Sequence, residues 1–540
     1  MRISLSSGIV SVLLAGQIFL LFGCGIISRR ARVQPVQPLR LDVVYPRPEE
    51  GDSIFVVPRV DSTFALGSVW PAAAEVFVNG VPAEVWENGA FLAFFPLDTL
   101  SRQYNFLAVG RGGDSINTVI PFLFYEDYVL LREEAEPEVV IPPLPVCLKI
   151  NNANAVLRTG PDLGYWLFPP SGCAALADSF DGSYYRLSLC QGLHAWVEDR
   201  FITLDTSRAH SPRSVVNAIF VRDGVEWVQI RIPLDEPLIY RLEVRPATGS
   251  LVIDLYGAVA RVDQINYENQ DSSIRHIAWN QVGDDLLRLE IYTNLSRFWG
   301  YDATYEGDTL LLKVRRPPEI ERRSLKGRVI ALDPGHGGSE EGAIGPTRLL
   351  EKDANLALAF KMKRLLEKEG ARVVLTRWSD STVAIYDRID YAVSQNAEIL
   401  LSLHNNALPD GRNPFVERGS SVYYYHPQSR DLAWALHREL LKASGLRDQG
   451  FFYKNLALAR PTQLPAVLIE TAFIIHPEEE MLLRDDRFLD RLAKGLVKGL
   501  KNYLKECQEI EQYGNPDYFR QRNIIKKPIW DPIIPDRQHD

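Results

Sequence analysis

Cysteine is scarce, with five in 540 residues and no Cys-x-x-Cys pair. That excludes a disulfide-stapled scaffold and a zinc ribbon. A basic excess is also missing, because 60 Lys and Arg stand against 69 Asp and Glu for a net charge of −9. A mildly acidic chain with a pI near 5.7 has no electrostatic footprint for nucleic acid. Only one charge-free stretch is long enough to cross a bilayer, which excludes a multi-span membrane protein. What is present, 46% hydrophobic and 24% charged residues, excludes disorder across the whole chain. At roughly 150 residues per domain the length predicts about three or four domains.

The one apolar stretch opens the chain. From Ile3 to Ser28 there is no charge, and Arg2 precedes it. Residues 1–28 therefore read as an export signal or a membrane anchor. Leu21-Phe22-Gly23-Cys24 resembles the lipobox of bacterial lipoproteins, with a bulkier Phe22 than the small residue usual at that position. An uncleaved helix stays open, since Gly8 to Ile27 is about 20 residues and long enough to span hydrocarbon, and so does plain secretion. Each alternative places the rest of the chain outside the cytoplasm, and the first two tether it to a membrane of the cell envelope. Residues 29–39, with Pro35 and Pro38, suit a tether. Export permits a Cys173–Cys190 disulfide within one small domain, whereas Cys147 and Cys507 read as buried or free thiols.

Three all-β modules follow in the pattern. Residues 40–126 alternate in short runs such as Ala74-Glu-Val-Phe-Val78, broken by Asn79-Gly80 and Asn88-Gly89, which predicts a β-sandwich of immunoglobulin-like type. Residues 133–145 are rich in Glu and Pro and read as a linker. Residues 147–206 carry Leu157-Arg-Thr-Gly-Pro161 and Gly192-Leu-His-Ala-Trp-Val197, an order that resembles the bacterial Src-homology-type barrel. The resemblance implies cell-wall binding, with Tyr184, Tyr185 and Trp196 as ligand platforms or, equally, as core filling. Residues 213–316 hold an internal repeat. Val228, Ile230, Ile232, Leu251 and Ile253 recur 59 positions on as Leu287, Leu289, Ile291, Leu310 and Leu312. Two halves that cannot bury their apolar faces alone predict a two-fold β-sandwich. The pattern resembles the AMIN-type domain, which implies targeting to peptidoglycan.

From Gly327 strands and helices alternate. Strands are expected at 329–333, 372–376, 398–403, 421–425, 455–459 and 466–470, and helices at 355–368, 386–394, 430–443 and 488–504. The prediction is an α/β domain over 326–506 with a largely parallel or mixed six-stranded sheet, then a polar tail over 507–540.

Ligand sites in such sheets form past the carboxyl ends of strands. The first strand runs into Asp333-Pro-Gly-His336-Gly-Gly338, the third into His404-Asn-Asn-Ala407, and the last into Glu470-Thr471, while Glu351 opens a helix. Two imidazoles and a carboxylate suit catalytic zinc, which takes three protein ligands and keeps one position open. Taken singly, Glu351 is an ordinary acid at a helix start. Glu470, continuing the apolar run Val467-Leu-Ile469, needs a partner or a shifted pKa. The glycines at 335, 337 and 338 lack the Lys and Ser or Thr of a phosphate loop. The remaining histidines singled out, at 210, 276, 426, 437, 476 and 539, read as solvated.

These motifs resemble the zinc-dependent N-acetylmuramoyl-L-alanine amidases. Leu332-Asp-Pro-Gly-His-Gly-Gly338, Glu351-Lys-Asp353, Leu375-Thr-Arg377, Ser402-Leu-His-Asn-Asn-Ala407 and Pro465-Ala-Val-Leu-Ile-Glu470 stand in family order. The resemblance implies His336, Glu351 and His404 as zinc ligands, Glu470 as the catalytic acid/base, Asp333 as a residue that orients a ligand imidazole, and peptidoglycan as substrate. The connection from His404 to Ser420 is only about 16 residues, too short for the inhibitory helical insert of some division amidases. An enzyme not gated by that device is expected. Two alternatives remain: a zinc carboxypeptidase-like stem-peptide hydrolase, with Arg377 or Arg388 clamping a carboxylate, and a non-catalytic wall-binding scaffold.

Overall fold

The structure is a computed structural model that describes residues 38–48, 54–132, 143–208, 210–268, 273–320 and 325–513. The export segment with Cys24, most of the tether, the linker residues 133–142, His539 and the tail from 514 lie outside the described residues. Among the described residues no helix is long and apolar enough to cross a membrane.

The N-terminal region is built almost wholly of β-sheets. Residues 40–124 form a four-stranded and a five-stranded sheet whose inner faces bury Phe91, Phe95, Tyr104, Phe106 and Phe122. A short helix, Tyr125–Arg132, follows. Residues 146–205 form one antiparallel sheet of seven strands. Tyr184 and Tyr185 are 7% and 5% exposed, so neither is free to act as a platform. Tyr185 instead stacks on Phe180 at 4.3 Å, and Trp196 is half-buried. Cys173 and Cys190 are both buried and free, so the disulfide that export permits is not formed.

The repeat explains the next sheets. Trp227–Pro233 and its counterpart Leu286–Thr293 fall in different sheets, as do Ser250–Tyr256 and Thr309–Arg315. Each half thus lends a hairpin to each sheet, and neither sheet is complete without both halves. The repeated apolar residues are buried between them.

The C-terminal α/β domain has a mixed sheet of six strands. Their order is Arg372–Leu375, Val329–Pro334, Ile399–Asn406, Ala466–Phe473, Ser420–Tyr424 and Asp448–Tyr453. The first four are mutually parallel, and Ser420–Tyr424 runs antiparallel to Ala466–Phe473 and parallel to Asp448–Tyr453. The unbroken apolar runs Ile330-Ala-Leu332, Ile399-Leu-Leu401 and Ala466-Val467 are fully buried, as a sheet covered on both faces requires. Helices Glu351–Lys368, Arg430–Ser444 and Asp486–Tyr513 supply apolar stripes, such as Leu358, Met362 and Leu366, spaced at helical period.

Three elements depart from expectation. The strand placed at 455–459 lies at Asp448–Tyr453, and Ala457–Ala459 is a single helical turn. Stacked pairs Tyr423–Phe452, Tyr424–Phe451 and Tyr425–Tyr453 hold the edge strand in place, whereas apolar alternation alone had favoured the later segment. A helix at Pro477–Arg484 was not foreseen. The last helix continues to Tyr513, past the expected end near Leu504, with Cys507 buried on its inner face.

The β modules pack directly on the α/β domain. Trp299 is fully buried, donates from Nε1 to the Glu398 carbonyl at 3.0 Å, and lies 5.8 Å from the Tyr503 ring. Arg315 donates to the Ala397 carbonyl at 2.6 Å. Both contacts fall at the start of the strand Ile399–Asn406, the end opposite His404.

Candidate metal centre

His336, Glu351, His404 and Glu470 come from four separate elements of the α/β domain. His336 follows the strand Val329–Pro334, and His404 sits near the end of Ile399–Asn406. Glu470 lies in parallel register beside His404. Glu351 is the first residue of its helix, where the helix dipole favours a carboxylate.

One donor atom each from His336, Glu351 and His404 falls within 4.8 Å of the others. Glu351 bridges the rings, with Oε2 3.2 Å from His336 Nε2 and Oε1 3.0 Å from His404 Nδ1. Its carboxylate also accepts from the backbone N–H of Ala343 at 2.9 Å and of Asn405 at 3.1 Å. Burial works to raise the Glu351 carboxyl, yet hydrogen bonds and charge from the two imidazoles overcome it and hold the group well below the usual carboxylate range. Burial disfavours the charged form of His404, but Glu351 beside it lifts the imidazole to about 9. Burial pushes Glu470 up to about 8. Its Oε2 is buried and has no hydrogen-bond partner among the described residues. Two imidazoles, of which that of His336 is partly solvent-exposed, and one carboxylate form a donor set that fits a zinc-type ion with an open side.

The support around these four side chains is largely invisible in sequence. Asp333 touches neither imidazole, contrary to expectation. It accepts from Thr376, from Arg388 at 3.0 Å and from Ser402 at 2.7 Å. Its influence reaches His336 indirectly, because Arg388 also donates to the carbonyls of Pro334 and His336, each at 2.9 Å. That anchor matters because His336 has φ 61°, a left-handed conformation that costs a non-glycine residue energy. Arg377 donates to the carbonyls of Pro334, Gly335, Lys352 and Ser379. Both arginines are buried, at 2% and 3% exposure, and bind backbone, so neither is available to clamp a substrate carboxylate.

A second chain of contacts runs Thr471 to Asn405, Asn405 to Asn355 at 2.8 Å, and Asn355 to Glu351 at 3.3 Å. Asn355 stands four residues after Glu351 on the same helix face, the one positional signal that could have marked it. Two glycines make room. A Cβ at Gly335 would lie 2.2 Å from the His404 ring, and one at Gly342 would lie 2.5 Å from Glu351 Oε2. Two histidines expected in solvent are buried, His437 at 3% and His476 at 2% exposure.

The α/β sheet brings together a donor set that could hold a metal ion, and residues 330–502 match the family model described as N-acetylmuramoyl-L-alanine amidase. That match falls within the C-terminal α/β domain. Among relatives, the chain is similar to the probable cell wall amidase LytH of Staphylococcus aureus, 38% identical over 185 residues, 34% of this chain and 60% of the relative. The match thus spans less than two thirds of that relative. Among solved structures, the catalytic domain of the amidase CwlV from Bacillus (Paenibacillus) polymyxa var. colistinus is 32% identical, with 33% of this chain and 98% of that chain covered and a TM-score of 0.31. An N-acetylmuramoyl-L-alanine amidase from Clostridium difficile 630 is 31% identical, with 33% and 98% covered and a TM-score of 0.32.

Proposed function

We propose that this chain is an exported, membrane-tethered peptidoglycan hydrolase that cleaves the amide between N-acetylmuramic acid and L-alanine with the help of zinc. The observation that carries the proposal is the convergence of His336, Glu351 and His404 beside Glu470, whose buried Oε2 lacks a hydrogen-bond partner among the described residues. His336, Glu351 and His404 would hold the ion. When bound, zinc polarises a carbonyl and acidifies water, worth several kcal/mol in the transition state.

Glu470 takes a proton from the attacking water and returns it to the leaving amine. Its place beside His404, with a buried Oε2 that has no hydrogen-bond partner among the described residues, leaves that carboxyl free for both steps. Glu351 keeps both imidazoles aligned, and the Asn355–Asn405–Thr471 chain keeps Glu351 in place. The upstream β modules, read as an immunoglobulin-like sandwich over 40–126, a Src-homology-type barrel over 147–206 and an AMIN-like domain over 213–316, hold the enzyme against the wall.

The test is mass spectrometry of soluble products after the full chain is incubated with zinc and isolated peptidoglycan, beside Glu470→Gln. Free stem peptides beginning with L-alanine, absent from the control, are expected. Shortened peptides still joined to muramic acid would instead identify a carboxypeptidase.

A further inference from the structure

The N-terminal sandwich does more than precede the α/β domain. Its docking points fall on the two connections that carry the proposed metal ligands. The turn Ala343–Leu350 leads into Glu351 and closes on it, since Glu351 N–H donates to the Ala343 carbonyl and Ala343 N–H donates to the Glu351 side chain, both at 2.9 Å. At the tip of this turn Arg348, with φ 62°, makes a two-pronged ion pair to Asp42 of the sandwich, both contacts at 2.6 Å.

The second connection, residues 407–419, follows His404 and Asn405. Asp410 within it accepts from Tyr45 at 2.7 Å and from Thr63, which is fully buried. A third contact sets Trp86 edge-on to His476 at 5.7 Å. Val44, Phe64, Leu66 and Leu92 of the sandwich join the same buried apolar cluster as Leu401 and Leu403 of the His404 strand. Polar anchors that lie more than 300 residues apart in sequence are thus backed by shared core. A loop held at both its strand end and its tip loses conformational freedom before a ligand arrives.

We infer that the sandwich is a built-in positioning element of the metal site: through Asp42 and the Tyr45–Asp410 contact it fixes the Glu351 and His404 connections in their binding geometry. The inference rests on the zinc reading of the site. It does not require that the scissile bond be the muramoyl amide.

The test uses the full chain carrying Asp42→Ala with Tyr45→Phe, both substitutions lying in the sandwich and leaving every donor of the site intact. Zinc affinity is measured by competition with a chromophoric chelator, and hydrogen exchange is followed at residues 343–351 and 405–417. The expected result is a loss of zinc affinity of about tenfold, the usual effect of removing an outer support. Faster exchange is expected in those two segments while the strand Val329–Pro334 stays protected. A charge reversal, Asp42→Arg with Arg348→Asp, should recover part of the affinity lost in Asp42→Ala. Unchanged zinc affinity together with faster exchange would overturn the inference and leave the sandwich a spacer. Unchanged exchange would overturn it as well, because the anchors would then not restrain the loops. Failure of the parent chain to bind zinc would instead overturn the zinc reading itself, and no peptidoglycan is needed to see the difference.

Discussion

At the scale of single residues, the role proposed for Glu470 sets function against stability. Its burial raises the folded-state pKa from an ordinary 4.5 to about 8. A raised carboxyl contributes stability below 4.5 and loses it as pH climbs through 8, so in metal-free protein the charge is disfavoured across neutral pH. Glu470→Gln should therefore abolish turnover and also stabilise the metal-free chain at pH 7–8, by on the order of 1–3 kcal/mol. Chemical denaturation of both chains in the presence of chelator measures this, and a destabilised variant would show that Glu470 is structurally required. His404 yields a second prediction. Glu351 lifts its imidazole to about 9, and an imidazole must be neutral to take a metal. Zinc affinity should rise with pH toward about 9, with at least one proton released per zinc at pH 7. Calorimetry in buffers of different ionisation enthalpy counts that proton; zero release would mean His404 is already neutral.

Elements explain why some of this site was legible and some was not. His336 lies just beyond a strand end, His404 and Glu470 in the C-terminal halves of their strands and Glu351 at a helix start, positions that apolar periodicity locates well. Asn355, Asn405 and Thr471 form a hydrogen-bond chain to Glu351 across three elements, so beyond the four-residue spacing of Glu351 and Asn355 no local pattern marks them. Arg377 and Arg388 carry charge, yet half of their hydrogen bonds go to backbone carbonyls of the 334–336 turn, a role that composition cannot reveal. The edge strand was misplaced by seven residues because ring stacking, rather than apolar alternation, decides its register. The tight turn after Val329–Pro334 is itself an element with one strict requirement. A methyl at Gly335 would lie 2.2 Å from the His404 ring. Gly335→Ala should push that ring aside and weaken zinc binding by 10-fold or more, about 1.4 kcal/mol, while circular dichroism stays near the parent's. Parent-like affinity would mean that the turn yields more easily than its arginine anchors imply.

On the scale of the whole molecule, the described modules join through buried contacts, and two of those junctions carry histidines that burial keeps neutral. His476 lies under Trp86 of the sandwich, and His426 lies edge-on to Tyr301 of the repeat domain at 6.1 Å. Burial lowers both imidazoles to about 4, with Arg418 adding repulsion at His476, while the His426 hydrogen bond to the Arg460 carbonyl opposes the shift. A depressed folded-state pKa contributes stability above the unfolded value of 6.5 and loses it as pH falls toward 4. Each junction should then weaken by on the order of 1–3 kcal/mol over that interval. Glu479, raised to about 6 by burial, works in the opposite direction as pH falls from 6 to 4.5, so the slope of the parent alone would understate the effect. Comparing the parent with a His426→Gln, His476→Gln chain removes that offset, because Glu479 is common to both. Denaturant midpoints measured from pH 7.5 to 4.5 should fall more steeply in the parent. Parallel curves would place the acid sensitivity elsewhere, and a steeper fall in the variant would mean that the junction histidines are charged when folded.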